Sequence, residues 1–219
     1  MEGIARLLLE TDSIVIDLAR SFRLVSGRLS PVYVDCRRLI SFPQAREAVV
    51  AAFAELAERE IGLDQIDVIA GGETAGIPFA AFLAQRLGKP MIYVRKEPKG
   101  HGLGRPAGRG QPGEGAQIEG VLEPGQRVLL VEDLVTDGGS KLRFVEGLER
   151  AGGLVRDCLT VFEYFSERAG LRRAREALSA RGLRLHSLTN WDEVLELAAG
   201  RFAPAELEQV LAFLRELEF

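Results

Sequence analysis

One stretch of the chain, residues 127–141, constrains the fold and the chemistry more than any other. It contains the apolar run Val128-Leu129-Leu130-Val131, which follows a Pro-Gly turn and is typical of a buried central strand. Two acids, Glu132 and Asp133, come directly after the run, and a loop with two adjacent glycines follows them. Beyond the loop, apolar residues recur at helical spacing. The stretch therefore predicts a strand, a glycine-rich loop and a helix, in that order.

The loop, residues 136–140, has a composition suited to binding a phosphate group. Its glycines allow positive φ angles and a close approach of the backbone to a ligand. A loop that leads into a helix directs free N–H groups and the positive end of the helix dipole at one point. Thr136 and Ser140 add hydroxyl donors. A plain turn without a ligand is the alternative interpretation.

The acidic pair distinguishes this loop from other nucleotide loops. A dinucleotide-binding fold places glycine at the strand end, and a Walker loop places a lysine directly before the Ser or Thr; the chain has neither pattern. Carboxylates accept hydrogen bonds from the hydroxyl groups of a ribose in other nucleotide sites. Two acids beside a phosphate loop therefore predict a site for a ribose 5-phosphate.

Composition restricts the class of protein. The chain has 219 residues, a length that suits one α/β domain, and its net charge of -4 offers no basic surface for nucleic acid or an anionic membrane. The two cysteines show no metal-ligand spacing, and residues 1–20 contain neither a signal-peptide pattern nor a membrane span. We expect a protein of the reducing cytoplasm that binds neither nucleic acid nor membranes.

The rest of the chain alternates between strand and helix patterns. Parallel pairing with right-handed crossovers is expected for such an alternation, and ligands then bind at the carboxyl ends of the strands. The predicted strands are residues 66–70, 90–94, 128–131, 154–164 and 183–188. The predicted helices are two within residues 1–22 separated at Thr11 or Asp12, then 44–61, 77–87 closed by Gly88, 141–150, 167–180, and two within 191–217 with Pro204 in a first turn. The pattern predicts a five-stranded, mostly parallel sheet flanked by helices.

Three further segments carry functional signals. Residues 71–76, GGETAG, repeat the arrangement of a strand end, a glycine loop and a helix; a simple corner is the alternative. Residues 23–43 contain short β-like pieces between Ser-Gly and Ser-Pro turns. Residues 95–120 are rich in glycine and proline and begin with four basic side chains, which favours a movable lid over a disordered linker. These four are Arg95, Lys96, Lys99 and His101.

Together these motifs resemble the type I phosphoribosyltransferases, and among them the orotate phosphoribosyltransferases. EDLVTDGGS, residues 132–140, is similar to the motif that binds phosphoribosyl pyrophosphate (PRPP) in that family. Residues 23–43 resemble the N-terminal hood that covers the pyrimidine, and RKxxKxHG, residues 95–102, is similar to the family's lid loop. The resemblance implies one type I phosphoribosyltransferase domain over residues 1–219. Its parts are N-terminal helices and hood (1–43), an α/β core (44–190) with a long flexible lid loop (95–120), and C-terminal helices (191–219).

The resemblance also implies an activity and a set of site residues. The activity is the Mg²⁺-dependent transfer of the phosphoribosyl group from PRPP to orotate in de novo UMP biosynthesis, a pentosyltransferase reaction (EC 2.4.2.10). It implies a homodimer that shares lid residues across its interface, with no metal ligands assigned to the protein. The implied catalytic residues are Lys96, Lys99 and His101. The implied PRPP-binding residues are Arg95, Lys96, Lys99, His101, Glu132, Asp133, Leu134, Val135, Thr136, Asp137, Gly138, Gly139 and Ser140, and the orotate-binding residues are Arg28, Tyr33, Val34 and Thr136.

The chain departs from the family pattern at several positions. Val25 and Ala75 stand where many members carry a lysine, and the VFEYF stretch, residues 161–165, lacks an arginine that contacts the base in many members. The glycine-rich run after His101 is longer than usual. Asp137 stands where relatives often have a small or hydroxyl residue, so its carboxylate is expected to point away from the phosphate.

Two other functions fit parts of the pattern. A transferase of the same fold could act on a purine base, although the hood segment argues against it. A regulator could have kept PRPP binding without catalysis, but the basic residues of the lid are retained and no basic nucleic-acid face is evident. His186 is expected to be packed or solvated rather than catalytic.

Overall fold

The computed structural model describes residues 2–18, 22–23, 29–97, 117–200 and 202–217. Its strands are β1 (Ile14–Ile16), β2 (Phe22–Arg23), β3 (Leu29–Ser30), β4 (Val32–Val34), β5 (Val68–Gly72), β6 (Met91–Val94), β7 (Ile118–Glu119), β8 (Arg127–Val135), β9 (Leu154–Glu163) and β10 (Arg184–Asn190). Its α-helices are α1 (Glu2–Glu10), α2 (Pro43–Glu60), α3 (Gly76–Leu87), α4 (Gly139–Arg150), α5 (Arg173–Ser179), α6 (Trp191–Ala198) and α7 (Pro204–Arg215). Short 3₁₀ helices lie at Cys36–Ser41 and Leu63–Gln65.

Within the described residues, the main sheet has six strands in the order β10-β9-β8-β5-β6-β7. The five strands from β10 to β6 pair in parallel, and β7 runs antiparallel to β6. From β5 the chain passes through α3 to β6, which lies toward the β7 edge of the sheet. From β8 it passes through α4 to β9, which lies toward the β10 edge. The direction of winding therefore reverses between the neighbouring strands β5 and β8. In open α/β sheets, ligands bind at the carboxyl ends of the strands at such a switch point.

Both faces of the sheet are buried, as is general for parallel sheets. One apolar cluster joins the sheet to α1, α2, α3, α6 and α7, and a second joins the opposite face to α4 and α5. Residues of β8 alternate between the two: Leu129 and Val131 belong to the first cluster, and Val128 and Leu130 belong to the second. Among the described helices, none has the length and apolar character needed to span a bilayer.

The prediction of a second N-terminal helix is wrong. Residues Ile14–Ile16 form β1, which pairs antiparallel with β4. Three successive β-branched residues restrict side-chain rotation in a helix but fit a strand that has a partner. The first helix ends beforehand, where the Thr11 hydroxyl donates a hydrogen bond of 2.7 Å to the Leu7 carbonyl.

The main sheet has one strand more than predicted. The extra strand, β7, follows the lid segment and pairs at the sheet edge with Tyr93 and Val94 of β6. A two-residue strand carries too few residues to show an alternating pattern. The end of residues 95–120 is therefore a hairpin arm, while residues 98–116 of the predicted lid lie outside the described part of the chain.

The helix ends follow local signals well. Gly88 adopts a left-handed conformation with φ of 63° and closes α3, and Pro204 occupies the first turn of α7, both as predicted. Helix α5 is shorter than the predicted residues 167–180 and spans only Arg173–Ser179, because Ser166 and Leu171 form an antiparallel bridge before it begins.

Candidate active site

The candidate site lies at the switch point, where β5 and β8 end side by side. Each strand leads through a short loop into the N-terminus of a helix, α3 after residues 73–75 and α4 after residues 136–138. Helix N-termini carry unpaired N–H groups and a partial positive charge, and each is a ready site for an anion. Two such termini next to each other suit a ligand with two phosphate-bearing ends.

The loop before α4 has the geometry predicted for a phosphate loop. Gly138 adopts φ of 87°, a left-handed conformation that favours glycine, whereas Gly139 is already helical. The Gly139 N–H donates a 3.0 Å hydrogen bond to Asp137 Oδ1. The next first-turn N–H groups, those of Ser140 and Lys141, have no acceptor within the helix by the geometry of an α-helix. Asp137 thus occupies the first donor of the loop, and the following donors are the ones suited to an anion.

The two acids lie inside β8 and not beyond its end, because the strand continues to Val135. Successive strand residues point to opposite faces. Glu132 faces α4, where its Oε2 lies 2.8 Å from Lys141 Nζ, and both side chains are under 10% exposed. Asp133 is also buried and faces the 3₁₀ helix Cys36–Ser41, whose Arg37 stabilises its charge.

Burial is the largest influence on the pKa values of the two acids, Glu132 and Asp133. It raises the pKa of Asp133, although Lys141 partly opposes the shift. Burial also raises the pKa of Glu132, with the Lys141 ammonium again acting in the opposite direction. For Lys141, burial lowers the pKa, but the nearby carboxylates of Glu132 and Asp133 outweigh that effect and raise it above the ordinary value. Lys141 is therefore charged at neutral pH.

Two glycines make room for the Glu132 carboxylate. A Cβ on Gly72, the last residue of β5, would overlap Glu132 Oε1 and lie 2.6 Å from Phe144 Cε2. A Cβ on Gly76, the first residue of α3, would overlap both Glu132 Oε1 and the Val131 carbonyl oxygen. Glycine is required at both positions because the carboxylate packs directly against the backbone of the neighbouring loop.

The loop after β5 is tied to the base of the lid segment. Glu73 Oε2 accepts a 2.8 Å hydrogen bond from the Lys96 N–H, and the Glu73–Thr74 peptide bond is cis. The Gln117 side chain donates to the Arg95 carbonyl at 2.8 Å and accepts from Arg150 Nη2 at 2.7 Å. Both arms of the lid base are therefore anchored to the core beside the site.

The hood residues lie on the Asp133 side of the sheet. Tyr33 is 40% exposed, and its ring centroid lies 5.5 Å from that of Phe22. Val34 pairs with Ile14 in the small antiparallel sheet and is half-buried. Asp35 Oδ1 accepts a 2.6 Å hydrogen bond from Arg37 Nε.

The structure brings together many of the predicted site residues. Leu134 and Val135 belong to β8 and pair with β9, so the loop proper begins at Thr136, which is half-buried. Arg95 and Lys96 lie at the lid base, with Arg95 Nη1 3.7 Å from Glu119 Oε1. The predicted residues Arg28, Lys99 and His101 lie outside the described residues.

Sequence reasoning missed two residues at the switch point. Lys141 appears in the sequence only as the first residue of a predicted helix, and Glu73 only as part of a glycine loop. The sequence did contain a signal for Lys141: it directly follows the phosphate loop at the start of a helix, and a lysine buried there needs an acidic partner. His186 lies two strands from β8, and its Nε2 is 2.7 Å from Asp157 Oδ1.

Comparison with known families agrees with this geometry. The family profile described as "Phosphoribosyl transferase domain" matches residues 44–179. The matched residues include β5, β8 and the loops that follow them. The fold and the site together thus define a phosphoribosyltransferase domain of type I.

Individual relatives narrow the class. The chain is 45% identical over 217 residues to the orotate phosphoribosyltransferase of Rhizobium meliloti (strain 1021), an alignment that covers 97% of this chain and 86% of the relative. A crystal structure of orotate phosphoribosyltransferase from Aeropyrum pernix is 31% identical with a TM-score of 0.73, covering 91% of this chain and 99% of that one. The PRPP complex of the Mycobacterium tuberculosis H37Rv enzyme is 27% identical with a TM-score of 0.65, covering 88% and 97%. The chain belongs to the orotate phosphoribosyltransferase family.

Proposed function

We propose that the protein catalyses the Mg²⁺-dependent transfer of the phosphoribosyl group of PRPP to N1 of orotate, within pyrimidine biosynthesis. A bond forms between orotate N1 and the anomeric carbon, and the bond from that carbon to the pyrophosphate oxygen breaks. The products are orotidine 5'-monophosphate and pyrophosphate. We further propose that the protein acts in the cytoplasm as a homodimer.

The observation that supports this proposal most directly is the pair of helix N-termini at the switch point. PRPP carries a 5'-phosphate at one end of its ribose and a pyrophosphate at the other. The α4 loop suits the 5'-phosphate, and the loop before α3 suits the pyrophosphate, with β8 between them carrying the acids. A named relative, the Mycobacterium tuberculosis enzyme, has been crystallised with PRPP.

The residues proposed to bind the ribose and orotate are assigned by the face of the sheet on which they lie. Glu132 and Asp133 are the acidic pair proposed for the ribose hydroxyls, and Asp133 is the member that faces the hood. Orotate would lie under the hood, next to Tyr33 and Val34, with Thr136 at the strand end. Arg28 is also proposed to bind orotate, next to these residues.

The transition state makes mainly electrostatic demands. The departing pyrophosphate gains negative charge while the ribose gains oxocarbenium character, so preorganised donors and cations lower the barrier. Arg95, Lys96, Lys99 and His101 are proposed to supply the cations for the pyrophosphate, and closure of the lid would exclude water.

Magnesium fits this site as an ion that the substrate brings. Mg²⁺ is usually bound by one or two carboxylates together with substrate phosphates. Within the described ranges, no group of three or more His, Cys, Asp or Glu side chains is arranged to hold a metal. Oxygens of PRPP would hold the ion, and Glu132 and Asp133 stay assigned to the ribose hydroxyls, so no side chain of the protein is assigned as a metal ligand. The bound ion would neutralise part of the charge on the leaving group.

A spectrophotometric assay of orotate consumption tests the proposal. Orotate should disappear only when both PRPP and Mg²⁺ are present, and pyrophosphate should be released in equal amount. Hypoxanthine and adenine, offered under the same conditions, should not be converted. Conversion of a purine with no loss of orotate would assign the chain to the purine transferases, and PRPP binding without turnover of any base would indicate a regulator.

The lid has its own test. Lys99→Ala should lower turnover on the order of 10²-fold, as does the loss of a single donor at an oxyanion site. Arg59→Ala removes an exposed cation from α2, away from the switch point, and should leave turnover unchanged. Equal turnover of both variants would remove the lid lysine from the mechanism.

The shared site can be tested by mixing inactive variants. Glu132→Gln changes the core of a site, whereas Lys99→Ala changes a lid that the partner subunit is proposed to donate. Mixed dimers would contain one site with neither change, so activity should partly return after the two proteins are exchanged. Absence of rescue in verified mixed dimers would assign each lid to its own subunit.

A further inference from the structure

A buried ion pair lies at the switch point, and its lysine, Lys141, has no role in the proposed mechanism. Lys141 Nζ and Glu132 Oε2 are 2.8 Å apart, and their side chains are 8% and 6% exposed. Lysine is almost never this deeply buried unless it is paired. The pair joins the third residue of α4 to the interior of β8, the two elements that the phosphate loop connects.

The other oxygen of the same carboxylate reaches the second loop. Glu132 Oε1 is buried and has no hydrogen-bond partner within the described part of the chain. A Cβ on Gly72, at the end of β5, or on Gly76, at the start of α3, would overlap this oxygen. The Glu132 side chain therefore lies against the first turn of α4 through Lys141 and against the start of α3 through Gly76.

We propose that Lys141 is a positioning residue, which orients Glu132 so that the carboxylate sets the spacing between the N-termini of α3 and α4. This inference rests on the proposed function, because PRPP is the ligand whose two ends would bridge that spacing. The Lys141 side chain points into the protein and does not contact the substrate, whatever its backbone N–H donates to. Capture of PRPP should depend on Lys141 much more than capture of orotate does.

The charge environment determines what removal of Lys141 does. Among the described residues, the charges that act on the Glu132 carboxylate include Lys141 from α4, Asp133 from its own strand and Lys96 from the lid base. Cys158 of β9 also faces this cluster, and burial raises its pKa to about 12, so it is neutral. Without Lys141, burial and the charge of Asp133 both raise the pKa of Glu132, and the charge of Lys96 acts in the opposite direction. The pKa of Glu132 should then rise further, so a larger share of Glu132 should be protonated at a given pH than in the wild type.

The experiment compares Lys141→Met with the wild type and with Glu132→Gln/Lys141→Met. Lys141→Met should lower kcat/KM for PRPP by about 10²-fold, the scale expected for a small misplacement of binding groups, and leave KM for orotate nearly unchanged. Its kcat/KM for PRPP should rise with pH as Glu132 ionises. Neither the wild type nor the double variant should show that dependence. Lys141→Arg, which keeps the charge, should restore the wild-type pH profile.

A matched control removes a cation elsewhere. Arg181 pairs with Glu146 at 3.4 Å on the exposed side of α4, so Arg181→Met makes the same change of charge and should alter neither constant. If Lys141→Met and the wild type share one KM for PRPP and one pH profile, the positioning role is overturned while the proposed function stands. If the wild type does not consume orotate, the proposed function fails instead.

A measurement without substrate keeps the inference testable in that case. A glutamate whose pKa is higher in the folded protein than in the unfolded chain stabilises the fold at low pH. The protein loses this stabilisation as pH rises above the unfolded pKa of about 4.3. Lys141→Met should therefore lose thermal stability relative to the double variant as pH rises above about 4.3. Parallel stability curves for the two variants would show that Lys141 does not control the ionisation of Glu132, and would refute the inference. If Lys141→Met does not fold, the double variant should still bind PRPP as weakly as Glu132→Gln, and much tighter binding by the double variant would overturn the role.

Discussion

The contact between Gly76 and the Glu132 carboxylate predicts a specific cost for one added methyl group. In Gly76→Ala, the new Cβ would overlap the Val131 carbonyl oxygen and Glu132 Oε1, and it would lie 3.2 Å from the Glu132 Cα. Two of these three atoms are backbone atoms of the central strand β8, which cannot move without disturbing its pairing with β5 and β9. Helix α3 must therefore shift to accept the methyl group.

The magnitude follows from two opposing terms. Overpacking a well-packed core costs about 1–3 kcal/mol, and the upper end applies because backbone atoms are involved. Replacing glycine by alanine in a helix returns up to about 1 kcal/mol. A net loss of about 2 kcal/mol is expected, which corresponds to a fall in Tm of roughly 4–8 °C for a chain of this length.

Urea denaturation followed by circular dichroism measures this loss, and calorimetry measures PRPP affinity in parallel. Gly3→Ala is the matched control, because Gly3 lies in α1 and nothing comes within 4 Å of its added Cβ. That control should be stabilised by about 0.5 kcal/mol. If Gly76→Ala is as stable as the wild type and binds PRPP equally well, then the carboxylate does not pack against α3 as described.

Three other predictions concern protein stability at acid pH, the reactivity of the two thiols and the packing of the core. Burial raises the pKa of Asp157, but hydrogen bonds from His186 and a neighbouring arginine outweigh it and hold the pKa below its ordinary value. This carboxylate therefore contributes stability above its unfolded pKa of about 3.9 and loses it as pH falls, so Asp157→Asn should flatten the acid limb of a melting profile; an unchanged limb would contradict the pairing. Burial raises the pKa of both Cys36 and Cys158, so neither thiol should react with iodoacetamide before unfolding, and labelling of native protein detected by mass spectrometry would contradict their burial. Trp191→Ala should cost about 3–5 kcal/mol in urea denaturation followed by circular dichroism, because the ring is fully buried against two other aromatic rings, and a loss under about 1 kcal/mol would show that the site can collapse.

Much of the fold was predictable because its signals are local. Periodicity located the core helices and strands to within a few residues, the glycine at residue 88 closed its helix, and Pro204 opened α7. The phosphate loop was also readable, because the positive φ of Gly138 and the helix that follows depend on neighbours in the sequence. The family followed from the same short segments.

Other features depended on partners that are distant in the sequence. Residues Ile14–Ile16 became a strand only because Val32–Val34 lies beside them, and β7 formed only because the edge of β6 was free to pair. A short segment carries no information about which edge it will meet.

The amino-acid sequence by itself therefore determined the class of fold, the phosphate loop and the acidic pair that precedes this loop, since backbone periodicity and turn chemistry act over a few residues. Only the tertiary structure decided that β5 and β8 are neighbours, that Glu132 and Asp133 face opposite sides, and that Lys141 is buried against Glu132. The physical reason is that burial and the pairing of charges depend on what lies across the sheet, and a linear pattern does not contain those distances.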